Sequence, residues 1–146
     1  MSDQLKVLTI RQPWASLIMA GIKDVENRTW STKLRGRFLI HASAIVKRSA
    51  WGSFRVGRPD HDDFHHASAF IKSGGLPLGA ILGTVELTDV VTESDSPWFV
   101  GPVGFTLANP QSFAEPIPES SFWTQDDDLQ ALIDAAITAQ SEGGEV

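Results

Sequence analysis

Cysteine is absent from the chain, which removes disulfides, thiol nucleophiles and cysteine metal sites together. That absence suits a reducing compartment, and the expected location is cytoplasmic. No run of about 18 apolar residues occurs, so no helix is expected to span a membrane. Met1 to Lys6 carry no apolar stretch of the signal-peptide kind, so export is not expected. A positive overall charge is lacking too: the net charge is −6. This weighs against tight, unselective binding to long duplexes and leans toward a short single strand or a single modified nucleotide.

The charge is unevenly spread. Between Lys23 and Arg58 stand nine basic residues and only two acids, Asp24 and Glu26; the rest of the chain has three basic residues against sixteen acids. Such asymmetry reads as one basic face on a self-repelling molecule, or as cations scattered and solvated around the surface. With 146 residues, 42% of them hydrophobic, the chain can bury one core but not two.

Lys6–Ile10 is apolar and β-branched enough for a first strand. Pro13 pre-sets a short helix over residues 14–20, in which Trp14, Leu17 and Ile18 share a face and Gly21 is the stop. Strands are expected over 25–32, 36–42, 80–91, 101–108 and 113–117. Residues 60–72 read as a helix with acids in its first turn. Leu129, Leu132, Ile133, Ala136 and Ile137 recur at helical spacing, a face for docking on the body or on a protein partner. The expected organisation is a domain over 5–125, a C-terminal helix packed on it over 126–140 and a disordered tail over 141–146.

Three stretches carry the strongest signal: IRQPWASLIMAGIKDVENRTW from Ile10 to Trp30, GRFLIHAS from Gly36 to Ser43, and GAILGTVELTDVV from Gly79 to Val91. In this order they resemble the ASCH domain family, of the PUA-like superfamily, and the likeness runs on through ESDSPWFV to the region of Pro116–Trp123. The resemblance implies an α+β fold: a small mixed β-barrel of five to six strands with flanking helices and a cleft beside the first helix. It implies engagement of nucleic acid or nucleotides, and for some branches hydrolysis.

The G-x-K-x-x-E-x-R block supports a ligand site on its own terms. On an extended strand Asp24, Glu26 and Arg28 point one way, with Val25 and Asn27 the other way. Lys23, Glu26 and Arg28 combine two cations for a phosphate with a carboxylate able to accept from an exocyclic amine or 2′-hydroxyl. The bland counterpart is a structural ion pair closing the barrel end. Lys33, Arg35 and Arg37 extend the basic stretch, and Gln12 offers an amide to a base edge. Trp30 and Trp98 are candidate stacking faces, each stacked base being worth ~1–3 kcal/mol, whereas Trp14 reads as core. His41 is either a cleft residue or a satisfied, partly buried histidine. His61 and His65 lie four apart on an expected helix with Asp62 and His66 adjacent, a zinc-like spacing without a third ligand. No metal and no cofactor is expected.

Two functions follow. The first is a binding module, in which Lys23, Arg28, Lys33, Arg35 and Arg37 hold phosphates of RNA or single-stranded DNA, or of a nucleotide, while Glu26, Gln12 and an aromatic face examine the base. The second is a small hydrolase. One family branch resembles an N4-acetylcytidine amidohydrolase that pairs a lysine with a threonine three residues on. Here Lys23 is followed at that spacing by Glu26, and the downstream glutamate is Glu86 or Glu93. A ribonuclease would instead draw on Lys23, Glu26, Arg28 and His41.

Overall fold

A computed structural model describes residues 5–44, 76–119 and 126–143. The expected helix over 60–72 and the His61/His65 pair lie outside them. Five strands form one sheet: β1 (Lys6–Ile10), β2 (Val25–Arg28), β3 (Gly36–Ala42), β4 (Ala80–Val91) and β5 (Val103–Pro118). Two helices accompany them among the described residues, α1 (Trp14–Met19) and α2 (Asp126–Gly143). The spatial order is β1-β3-β4-β5-β2, with β1 parallel to β3 and every other pair antiparallel. The sheet curls into a half-barrel, so β1 and β2, its two edges, approach each other across a gap.

Burial explains the strand patterns. Leu8, Ile10, Phe38, Ile40, Leu82, Val85, Leu87 and Phe105 face one core with Ala15, Ile18 and Met19 of α1. Leu39, Ile81, Phe113 and Ile117 face a second, closed by Ile133 of α2. Covered on both faces, β4 is buried from Ala80 through Val85, which is why its sequence is a near-continuous apolar run rather than an alternation. Phe105 is the largest fully buried side chain among the described residues; truncating such a residue costs about 3–5 kcal/mol.

Three sequence expectations are corrected in detail. The strands expected over 101–108 and 113–117 are one strand, β5, which follows the long β4 through several register shifts. Asn109, at φ 51°, absorbs one irregularity in a conformation that asparagine tolerates better than most residues. The strand expected to reach Thr32 stops at Arg28, where its pairing with Val103 of β5 ends. On α2, Leu132 is exposed and Ile133 is the buried anchor, so the docking stripe is narrower than the spacing suggested. Among the described residues no helix is long and apolar enough to cross a membrane.

Candidate functional site

The end of α1 sets the site. Gly21, at φ +78°, follows the cap residue Ala20. Its N–H donates to Ile18 O at 3.0 Å and that of Ile22 to Leu17 O at 3.0 Å, the two bonds of a Schellman cap. Lys23 N also reaches Leu17 O, at 3.1 Å. The chain is thereby folded back so that Lys23 returns beneath α1 and β2 starts two residues later. Val25 packs with Leu17 and Trp98, and this leaves Glu26 and Arg28 on the other side of the strand.

A cleft of about 450 Å³ opens where the two sheet edges meet, lined by Thr9, Ile10 and Arg11 from β1 and its end, Glu26, Asn27 and Arg28 from β2, and Trp14, Lys23, Trp98 and Val100. Lys23 Nζ donates to Glu26 Oε1 at 3.1 Å and to the carbonyl of Val25. Arg28 NH2 donates to Glu26 Oε2 at 3.3 Å and to Thr9 O at 2.9 Å. The guanidinium therefore ties β2 to β1 and bridges the gap in the half-barrel. Lys23 and Glu26 are buried. Burial pushes the Lys23 ammonium below the ordinary lysine pKa, and the carboxylate of Glu26, with help from Asp24, pulls it back only in part. Its Nζ stands 5.9 Å from the Trp14 ring centroid.

Asn27 shapes the opposite wall. Its Oδ1 accepts from the N–H groups of Val100 and Gly101, at 2.8 and 3.1 Å, and its Nδ2 donates to Trp98 O at 3.0 Å. One amide thus pins the 96–101 loop to β2. Trp98 meets Trp14 edge to face, with centroids 6.4 Å apart. Both rings line the cleft and both pack against the core. Trp98 is only 4% exposed, held in the Leu17–Val25 cluster, while Trp14 is partly buried and stands in the cleft wall.

Lys23, Glu26, Arg28 and Trp98 are thus brought together; the other candidates are not. Gln12 is buried outside the cleft lining, its Nε2 donating to Ser16 Oγ at 2.7 Å and Pro77 O at 2.8 Å, and its Oε1 accepting from Ser16 N at 3.0 Å. Trp30 lies beyond β2, half exposed, edge-on to Phe105. Lys33 and Arg35 are exposed between β2 and β3; Arg35 pairs with Asp89 at 3.4 Å, and Arg37 donates to Asn109 O at 2.6 Å. His41 lies 3.2 Å from Thr9 Oγ1 through Nδ1 and 2.7 Å from Glu119 Oε1 through Nε2. Glu86 sits opposite Arg37 in the sheet and accepts from Asn109 Nδ2 at 2.8 Å, so it is not the partner of Lys23. Thr9, Arg11, Asn27 and Val100 were not anticipated. Only Asn27, inside the E-x-R spacing, had a signal to find; the others join through the meeting of two strands remote in sequence. No group of metal-ligating side chains occurs among the described residues.

The ASCH domain profile matches residues 8–102, which span all of the cleft lining. The chain belongs to the ASCH family. Human activating signal cointegrator 1 is 32% identical over 129 residues, covering 76% of this chain and 20% of the relative; its mouse counterpart is 34% identical over 93 residues, covering 59% and 14%. The chain therefore spans a fifth or less of the length of these relatives. The crystal structure of ASCH from Zymomonas mobilis matches with a TM-score of 0.50 at 16% identity, over 88% of this chain and 92% of that one. A variant of it matches at 15% identity and the same TM-score, over 88% and 95%. These structures bear on the fold alone. Membership of the ASCH family points in general terms to a function related to nucleic acids or nucleotides.

Proposed function

We propose that this ASCH domain binds a nucleotide, presented free or in a short single strand of RNA or DNA, in the cleft between β1 and β2. The observation that carries the reading is the Lys23–Glu26–Arg28 cluster beside Trp14, its lysine and glutamate buried and its arginine partly exposed, in a cleft of about 450 Å³. Ligand pockets commonly hold ~300–1,000 Å³, so there is room for about one nucleotide. Arg28 and Lys23 supply positive charge where a backbone would enter. Lys33, Arg35, Arg37 and half-exposed Trp30 stand outside the cleft lining and would serve only neighbouring nucleotides of a strand that leaves it.

A second reading, a small hydrolase, has one observation in its favour: burial lowers the proton affinity of Lys23, and an amine nearer neutrality is a better base or nucleophile. Its proton shuttle would be Glu26, which touches Lys23, rather than Glu86, which does not line the cleft.

Fluorescence anisotropy with labelled short single-stranded RNA and DNA at two salt concentrations tests both readings. Wild type is run beside Lys23→Ala and Arg28→Gln, with circular dichroism to verify folding. Binding that weakens with salt and with either variant is expected; wild type that binds neither strand, nor a labelled mononucleotide, at low salt would sink the proposal. Mass analysis of the same samples, including a strand with N4-acetylcytidine, separates reader from hydrolase. Product that forms with wild type and is lost in Lys23→Ala selects the enzyme.

A further inference from the structure

The polar groups of the cleft are not evenly engaged. Its acceptors are already occupied: both oxygens of Glu26 face cations, Thr9 O is taken by Arg28, and Asn27 Oδ1 holds two main-chain N–H groups. Its donors are not. Arg28, its side chain 23% exposed, bonds described residues through NH2 alone, which leaves NH1 of the guanidinium without a partner among them. The indole Nε1 of Trp98, also unpartnered among them, is sealed from solvent and is not counted with these donors. Arg11 is exposed at the rim; its carbonyl accepts from Ala15 N, but its guanidinium makes no polar contact with another described residue.

A site with spent acceptors and spare donors selects for acceptors. Three cations, Arg11, Lys23 and Arg28, stand against the single carboxylate of Glu26 within the lining, so the favoured acceptor is an anion. A Watson–Crick edge presents donors as well as acceptors, and telling one base from another requires answering both. Glu26 and Gln12, the groups expected from sequence to examine a base, are committed to Lys23 and Arg28 and to Ser16 and Pro77 respectively. What remains for the base is the aromatic wall at Trp14, and stacking is tolerant of base identity.

We infer that the cleft anchors its nucleotide by the phosphate, through Arg28 and Arg11, and leaves the base unread. This rests on the nucleotide-binding reading above and adds the recognised group to it. The planar guanidinium of Arg28 suits phosphate oxygens, and its tie to Thr9 and Glu26 holds it in place before the ligand arrives, so little ordering is lost on binding.

Calorimetric titration of the full chain with the four ribonucleosides and their 5′- and 3′-monophosphates tests the inference. At least one monophosphate series is expected to bind about tenfold or more tighter than the nucleosides, the worth of one hydrogen bond to a charged group. The four bases within that series should agree within about threefold, because stacking alone distinguishes them weakly. Nucleosides that match both monophosphate series, or one base that outranks the rest about tenfold, overturn it. Arg11→Gln, which alters an exposed side chain, is expected to narrow the phosphate advantage. Retention of the full advantage by both Arg11→Gln and a folded Arg28→Lys also overturns it. Binding of RNA or DNA strands without phosphate dependence would remove this inference and leave the proposed function standing, whereas no binding by any ligand removes both.

Discussion

Replacing Glu26 by glutamine keeps the shape of the side chain and deletes its charge, leaving Lys23 buried with no counter-ion in contact. At 3.1 Å from Lys23, with an effective dielectric of ~20, the lost attraction is roughly 5 kcal/mol. Lys23 keeps the Val25 carbonyl and can respond by releasing its proton, and Arg28, 23% exposed, is partly screened. An expected loss of about 3 kcal/mol, at the lower end for a broken buried pair, remains large against a stability of about 5–15 kcal/mol. The control is Asp89→Asn, which removes the Arg35–Asp89 pair, 41% and 63% exposed; such pairs are worth at most about 1 kcal/mol.

The pH dependence adds a second check. The folded pKa of Lys23 lies below its unfolded value, so the unfolded chain holds that proton more tightly. The resulting penalty is in force below the folded pKa and fades as pH rises through the window up to the ordinary lysine value. Removing Glu26, the largest influence opposing desolvation, lowers the folded pKa further and opens the window earlier. The deficit of Glu26→Gln relative to wild type should therefore shrink toward alkaline pH. Urea unfolding followed by tryptophan fluorescence, near neutrality and again at alkaline pH, measures both effects. A Glu26→Gln deficit no larger than that of Asp89→Asn, or one that grows with pH, would refute the reasoning.

Two further outcomes are expected. Asn27→Ala strips the N–H groups of Val100 and Gly101 of their acceptor and should cost about 1–2 kcal/mol, since water can reach part of this loop. Tryptophan emission should shift to the red as Trp98 loosens, and unchanged emission would count against the pinning role. Gly83→Ala would place a Cβ 2.2 Å from Gln111 O and 2.8 Å from Ser112 Cα, main-chain atoms of the adjacent strand. A thermal melt should show Tm lower by roughly 10 °C, the equivalent of about 3 kcal/mol in a domain of this size. An unchanged Tm would mean that β4 and β5 can part at little cost.

How far the sequence is legible depends on whether a feature is local. The Gly21 stop and the bounds of β1, β3 and β4 were readable, because a cap glycine and a bounded apolar run act through neighbours in the chain. The Lys23–Glu26–Arg28 grouping was readable for the same reason, since strand alternation alone puts Glu26 and Arg28 on one side. The continuity of β5 was not. Asn109-Pro110 reads locally as a break, and only the long partner β4 carries the strand past it. The difference in exposure between Trp14 and Trp98 was equally hidden, because it depends on where the 96–101 loop, remote in sequence, is pinned by Asn27.

The sequence by itself determined the family, the half-barrel's main strands and the charged trio, for these rest on short-range pattern and on residues within one turn and one strand. Tertiary structure alone decided that Thr9 and Arg11 belong to the same cleft, that Gln12 and Glu86 do not, and that the spare groups there are donors. Those outcomes depend on the curl that brings β1 against β2, two edges with three strands between them in the sheet. No local spacing encodes it.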